Sequence, residues 1–391
     1  MQSKLTDVVV VGYGRSAVAK AGQKGALRNM HPVDLGGLVL RGVLDKVPAL
    51  QDEQIDDVIV GCAQQEIQQT FNIARLVAAR VGLPVSVPGM SCNRFCSSGL
   101  QAVALGATQI QCGMADVIVA GGVESMTAVP ISYERTKQAV NKWILKNAPA
   151  NYMDMGSTAE NVAEKYHVTR EEMDAFAVES HKKAAAAQDA GKFDSSIIPV
   201  PGVDVDGNEI TFDKDQGIRR NASMEAQASL NPCFRENGKV TAGNSSPTSD
   251  GAGFVVLMSE EKAKELGIAP IAKFIGFAVG GCDPAYMGEG PIHAVPKVMK
   301  QTGLSVADMD VIELNEAFAA QAIPCIRELK LDAEKVNPNG GALALGHPLG
   351  ATGAILTCKA LDELKRTKGK YGLVTMCIGG GMGAAGIYEM C

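Results

Sequence analysis

Short, unbroken apolar runs alternate with stretches of helical periodicity along most of this chain. Val8–Gly12 (VVVVG) predicts a strand buried on both faces and closed by glycine. Residues 34–47 place apolar side chains at helical spacing behind Asp34, a suitable N-cap. A second buried strand ends the stretch 55–61, and residues 72–81 predict a helix. Residues 96–112 predict a helix opened by small polar residues, and 116–122 a strand running into a glycine turn. Short buried strands alternating with helices predict an α/β protein with largely parallel sheets.

Between Glu124 and Thr248 the charge density rises and strand patterns become scarce. Two helices are predicted there, over 158–166 and 170–190, the second capped by Thr169 with Glu171 and Glu172 in its first turn. The alternation returns after Gly251, with strands over 254–257, 271–279, 311–314, 371–377 and 383–389. Helices are predicted over 259–266, 290–302, 316–329 and 350–367. The element order of the first part is repeated, which suggests two α/β halves around an unlike insert. The corresponding division is 1–120 for the first half, completed by about 250–270, then 121–249 for the insert and 271–391 for the second half.

Composition narrows the function classes. The 391 residues include 43 glycines, with 46% hydrophobic and 20% charged residues, which excludes a disordered chain. The glycines have no period of three, which excludes collagen. A net charge of −6 argues against a nucleic-acid partner. No apolar run reaches the length of about 18 residues needed for a membrane span. The N-terminal MQSKLTDVVVVGYGR has the features of neither a signal peptide nor a transit peptide. The ten cysteines form no CxxC pair, so no metal site is expected and reduced thiols are. GYGRS at Gly12–Ser16 does not complete a dinucleotide-binding fingerprint.

Four polar or glycine-rich islands carry candidate chemistry. NRFCSSGL places Cys96 at the start of a predicted helix, where the dipole and free amides should lower a thiol pKa and make a nucleophile. NPNGGALALGHPLGATG holds His347, a candidate base for that thiol, among five glycines. MCIGGGMG delivers Cys377 from a strand into glycines whose bare amides suit an oxyanion. NEAF places Asn315 at a strand end, either as a helix N-cap or in a ligand site. His31, His167, His181 and His293 lie in less distinctive surroundings, which suit surface or capping roles.

Taken in order, NRFCSSGLQAV, AGGVESM, MGSTAENVA, VTAGNSSPTSDGA, NEAFA, GGALALGHPLGATGA and CIGGGMGAA resemble the motifs of the thiolase family along the whole chain. The resemblance implies a five-layered αβαβα fold of two similar halves, with a CoA-binding loop domain inserted in the first. It implies an acyl-CoA C-acyltransferase of the acetyl-CoA acetyltransferase or 3-ketoacyl-CoA thiolase kind. Its partners would be CoA and acyl-CoA as substrates, with no permanently bound cofactor. A cytoplasmic homodimer or homotetramer would be typical.

The same resemblance assigns roles. Cys96 matches the nucleophile that becomes acylated, His347 its activating base, and Cys377 the thiol that moves the substrate α-proton. Asn315 matches the residue that shares an oxyanion-site water with the histidine. The amides of Cys96 and Gly379 match a second oxyanion hole. Around CoA, Ser246 matches a position near the pantetheine amide and Arg219 one near the adenosine diphosphate, with Arg220 an alternative. Met155, Phe234, Met287 and Phe318 match the tunnel lining. Asp154 stands where short-chain members often carry histidine, and Arg15–Ala19 replaces a familiar RTPFG. GALRN and SSP look more like degradative members.

Two other readings compete. A condensing enzyme of the ketoacyl-synthase type shares the fold but lacks a second cysteine in a CIGGGMG context. A redox-regulated or non-catalytic scaffold would use Cys96 and Cys377 differently. A pure binding protein would be expected to have lost one of Cys96, His347 or Cys377.

Overall fold

The computed structural model describes residues 5–131, 137 and 139–391. The first four residues of the N-terminal stretch, and part of the insert, lie outside them. Strand β1 (Val8–Arg15) runs past the valine block because Tyr13, Gly14 and Arg15 continue its ladder. β2 is the short Ala19–Lys20. Helix α1 (Pro32–Leu44) starts before the expected Asp34. His31 is its cap, accepting from the Val33 amide at 3.2 Å, and Pro32 takes the first turn. Asp34 instead lies inside that turn and pairs with Arg80. β3 (Asp57–Gly61), α2 (Ile73–Arg80), β4 (Gly89–Cys92) and α3 (Ser98–Gln111) follow.

β5 (Val117–Ser125) runs straight through Gly121 and Gly122, where a turn was expected. A Cβ at either glycine would stand 2.1 Å from a carbonyl oxygen, that of Gly253 or Gly350. These glycines allow close approach rather than turning.

The insert holds α4 (Lys142–Asn147), α5 (Met155–Lys165), α6 (Arg170–Asp189), the hairpin β6 (Val200–Val203) and β7 (Glu209–Phe212), and α7 (Met224–Ala228). Thr169 caps α6 in a capping box with Glu172, as the sequence predicts. The chain then returns through β8 (Ser249–Ser259), α8 (Glu260–Leu266), β9 (Ala272–Gly281) and α9 (Gly290–Thr302). β10 (Val311–Leu314), α10 (Ala319–Glu328), α11 (Ala342–Leu345), α12 (Thr352–Thr367), β11 (Tyr371–Ile378) and β12 (Met382–Met390) complete it. α10 starts later than its periodicity suggests. Residues 315–318 stay extended because Ser246 donates to the Ala317 carbonyl and Ser245 bridges Phe318.

The main sheet runs β10-β11-β12-β9-β1-β8-β5-β3-β4, with β2 on β8. Among the described residues, only β10–β11, β3–β4 and β3–β5 are parallel; every other ladder in the sheet is antiparallel. The expected parallel sheet is therefore corrected to a mixed one. β8 returns from the insert against both β1 and β5, and β11–β12 close as a hairpin. The two wings meet along a narrow seam, Val9 and Val10 against Lys273 and Ala272.

Alternate residues of each strand serve different cores. Val9, Val58 and Val119 face α1 and α2, whereas Val10, Ile59 and Ile118 face α3 and α12. Val374 and Met376 of the other wing pack on the same central pair. Leu373 and Ile387 face outward onto α9 and α10. The result is five layers, helix–sheet–helix–sheet–helix, with α3 and α12 innermost. Burial on both faces explains why the strands read as continuous apolar runs.

Candidate active site

Cys96 sits on a single 3-10 turn, Phe95–Ser97, between β4 and α3. Phe95 is left-handed, with φ 43°, a cost of about 1–2 kcal/mol for a residue with a side chain. Local bonds hold it there. Asn93 Oδ1 accepts from the Phe95 amide at 2.8 Å, and the Ser98 hydroxyl donates to the Phe95 carbonyl at 2.7 Å. Cys96 is 6% exposed. The amides of Gly379 and of Cys96 itself are aimed at its sulfur, yet burial outweighs them and pushes the thiol up to about 11. The thiol pKa expected to fall therefore rises: the low dielectric opposes the thiolate more than two donors support it.

His347 lies in the loop before α12. Its amide donates to the Ser249 hydroxyl at 3.2 Å, and Thr248 bridges it. Its Nδ1 is 2.6 Å from Thr352 Oγ1, and that hydroxyl donates to the Pro348 carbonyl at 3.0 Å. With the threonine proton on that carbonyl, Nδ1–H is the donor to Oγ1, which leaves Nε2 with a lone pair facing the Asn315 amide. Burial lowers the imidazole pKa to about 4. The resting imidazole is neutral.

Nε2 is 3.4 Å from Asn315 Nδ2. Asn315 is fully buried, and its Oδ1 has no hydrogen-bond partner among the described residues. It does not cap a helix; Phe318 is the N-cap of α10. Cys377, near the end of β11, is also fully buried. Burial raises its thiol pKa well above the ordinary value, and Cys96 adds to the rise, so the two sulfurs feel each other's charge. The hairpin after Cys377 turns on Gly380 and Gly381, both at φ 83°, and this aims the Gly379 amide back at Cys96.

Two neighbours were not singled out from sequence. Thr352 is the first. Glu124 is the second, a buried carboxylate that accepts from Ala63 N and Gly350 N at 2.7 Å and from Gln69 Nε2 at 2.7 Å. It ties the end of β3 to the loop that carries His347. A lone acid in the apolar run VIVAGGVES was the available signal.

The residues matched to CoA positions divide into two groups. Met155, Met287 and Phe318 pack with Ala317 and Cys377. Phe234 meets Phe318 edge to face at 6.1 Å. Ser246 is half-buried on the strand-like segment beside Ala317. Arg219 lies apart, exposed, its amide donating to His181 Nδ1 at 3.0 Å. Arg220 pairs with Asp189. His181 is buried rather than at the surface.

The comparisons with known proteins agree in both halves. The thiolase N-terminal domain matches residues 8–261 and the thiolase C-terminal domain residues 268–390. The 3-ketoacyl-CoA thiolase of Bacillus subtilis (strain 168) is 48% identical, over 99% of this chain and 100% of its own. The acetyl-CoA acetyltransferase of Allochromatium vinosum is 44% identical, over 97% and 98%. The crystal structure of the Bacillus anthracis acetyl-CoA acetyltransferase superposes with a TM-score of 0.91 at 40% identity, covering all of both chains. With both halves matched over nearly their full length, this chain belongs to the thiolase family.

Proposed function

We propose that this chain is a thiolase acting on CoA thioesters: an acyl-CoA C-acyltransferase that works through an acyl-cysteine. The observation that carries the reading is the convergence of Cys96 from one wing with Cys377, His347 and Asn315 from the other. The Gly379 and Cys96 amides stand ready beside the first sulfur.

In thiolysis, His347 Nε2 takes the Cys96 proton and Sγ attacks the keto carbon of a 3-ketoacyl-CoA. The bond between the keto carbon and the α-carbon breaks. Its electron pair leaves as the enolate of acetyl-CoA, which takes a proton from Cys377. The enolate oxygen is held at Asn315 and His347, and the acyl carbonyl by the Cys96 and Gly379 amides. The thiol of free CoA then attacks the acyl group, its proton restoring Cys377. The proton on His347 returns to the departing Cys96 sulfur. Condensation is the reverse, and both directions are ping-pong.

The insert is read as the CoA-binding loop domain, with Ser246 near the pantetheine and Arg219 near the diphosphate. Met155, Phe234, Met287 and Phe318 line the tunnel, in keeping with their packing around Cys377. The segments GALRN and SSP favour a degradative, β-oxidation role. A reduced, cytoplasmic setting is supported by ten free cysteines. A homodimer or homotetramer is supported by the edge position of β4 and by Phe71 and Val85, 84% and 91% exposed.

Mass spectrometry after mixing with acetyl-CoA tests the central claim. Wild type and Cys377→Ala should each gain one acetyl group, and Cys96→Ala none. Condensation should be lost in both variants. An acetylated Cys96→Ala, or a Cys377→Ala that condenses at the wild-type rate, would overturn the assignment. Thiolysis across a 3-ketoacyl-CoA chain-length series fixes the preferred acyl group.

A further inference from the structure

Behind the wall of the candidate active site, three different metal-ligating side chains converge. Cys282 follows the end of β9, Glu289 immediately precedes α9, and His293 lies in its first turns. The Cys282 sulfur, a Glu289 carboxylate oxygen and a His293 ring nitrogen lie within 4.8 Å of one another. We propose that this cluster is a divalent-cation site of the zinc class, with Cys282, Glu289 and His293 as ligands and water completing the sphere.

The donor set is the first argument. Thiolate, imidazole and carboxylate together suit Zn²⁺, and three protein ligands with one open position are a common zinc arrangement. The second argument is geometric. His293 Nε2 and Glu289 Oε1 are 3.4 Å apart. Zinc bonds of about 2.0–2.2 Å to nitrogen and oxygen give a tetrahedral edge of roughly that length.

The third argument lies in the surroundings. Glu289 is 5% exposed, and its other oxygen, Oε2, accepts from Lys165 Nζ at 2.6 Å and from the Tyr166 hydroxyl at 2.9 Å. Those donors fix the carboxylate's rotation and leave Oε1 toward His293. Ligating carboxylates are held in this way by outer partners. The approach of the backbone is also built for it. A Cβ at Gly280 would stand 2.6 Å from the His293 carbonyl carbon, so only glycine lets the end of β9 lie against α9 here. Cys282 is half-buried and His293 is open to solvent, which provides a route of entry.

Binding exchanges the Cys282 S–H proton for the metal; the proton goes to solvent, and no oxidant or reductant is involved. The ion would join the two ends of the segment 282–293. That segment carries Met287, which packs on Cys377. The cation would thereby stiffen one wall of the acyl pocket without touching the reacting atoms. The lack of a CxxC pair concealed the site: its ligands are seven and four residues apart, and only the chain's return brings Cys282 beside the i, i+4 pair.

Co²⁺ is the probe. Added in small excess to the reduced, metal-stripped full chain, it should give a thiolate-to-cobalt absorption band at one equivalent. Zn²⁺ should displace it and raise the melting temperature. Cys282→Ser and, independently, the solvent-exposed His293→Ala should each lose the band. No band in the wild type would overturn the proposal. So would a band unchanged in His293→Ala, since that would place cobalt on the exposed Cys112, Cys233 or Cys391.

Discussion

His347 Nδ1 stands 2.6 Å from the hydroxyl of Thr352, one turn along at the start of α12. With that hydroxyl's proton on the Pro348 carbonyl, the oxygen accepts from the imidazole, in keeping with the Asn315 amide nitrogen beside Nε2. One threonine therefore selects the tautomer in which Nε2 is basic and points toward Asn315.

Replacing it tests that selection. Thr352→Val keeps the shape but leaves a buried N–H without an acceptor, at about 1–3 kcal/mol. The kcat for thiolysis should fall about 10- to 100-fold with KM little changed, since a base out of register forfeits part of a general-base contribution of about 10²–10⁴. Thr352→Ser should recover most of the rate. Equal losses in both variants would show that the hydroxyl does not act through the histidine.

The resting thiol gives a second expectation. Cys96 titrates near 11, so at neutral pH nearly all of it is protonated. In the free enzyme its alkylation by iodoacetamide should rise about tenfold per pH unit from 7 to 9, without a plateau. Peptide mass spectrometry resolves this cysteine from the others. A plateau below pH 9 would mean that a thiolate already exists at rest. The same shift has a sign for stability. Its contribution is present below the ordinary thiol range near 9 and is lost as pH rises toward 11.

A third expectation concerns Gly122. A methyl group there would stand 2.1 Å from the Gly350 carbonyl oxygen, in the loop between His347 and α12. Gly122→Ala should destabilise the fold by about 1–3 kcal/mol through overpacking. It should also lower kcat, because the Gly350 amide is held by Glu124. Denaturant melts and steady-state kinetics read the two effects separately. A variant of unchanged stability would show that the layers can part at this point without cost.

What could be read from the sequence follows from burial. VVVVG and DVIVG are apolar on both faces because helices cover both, so their runs needed no partner to be recognised. Strand direction was not legible, since a valine run is the same in either ladder; the return of β8 between β1 and β5, the β11–β12 hairpin and the pairing of β9 with β12 and β1 make the sheet mixed. The cysteines and His347 stood out because glycines surround them. Thr352 did not, since its role depends on how the turn after His347 brings its hydroxyl to Nδ1, and Glu124 did not, since its partners are distant in the chain. For Glu124 those partners are Ala63, Gln69 and Gly350. The direction of the Cys96 shift was not legible because the amides of its own turn are local in sequence, while the Gly379 amide and the desolvation come from the rest of the fold.

The seam at Val9–Val10 has a consequence in time. The proposed nucleophile belongs to the wing made first, and its proposed base and partner thiol to the wing made last. Some 250 residues separate Cys96 from His347, which at ~5–20 residues per second is roughly ten to fifty seconds of synthesis. Throughout that interval the nascent wing carries an unactivated thiol, without its base, the opposing sulfur or the Gly379 amide. On the proposed roles, Cys96 therefore meets its base, the opposing sulfur and the Gly379 amide only when the second wing has been made.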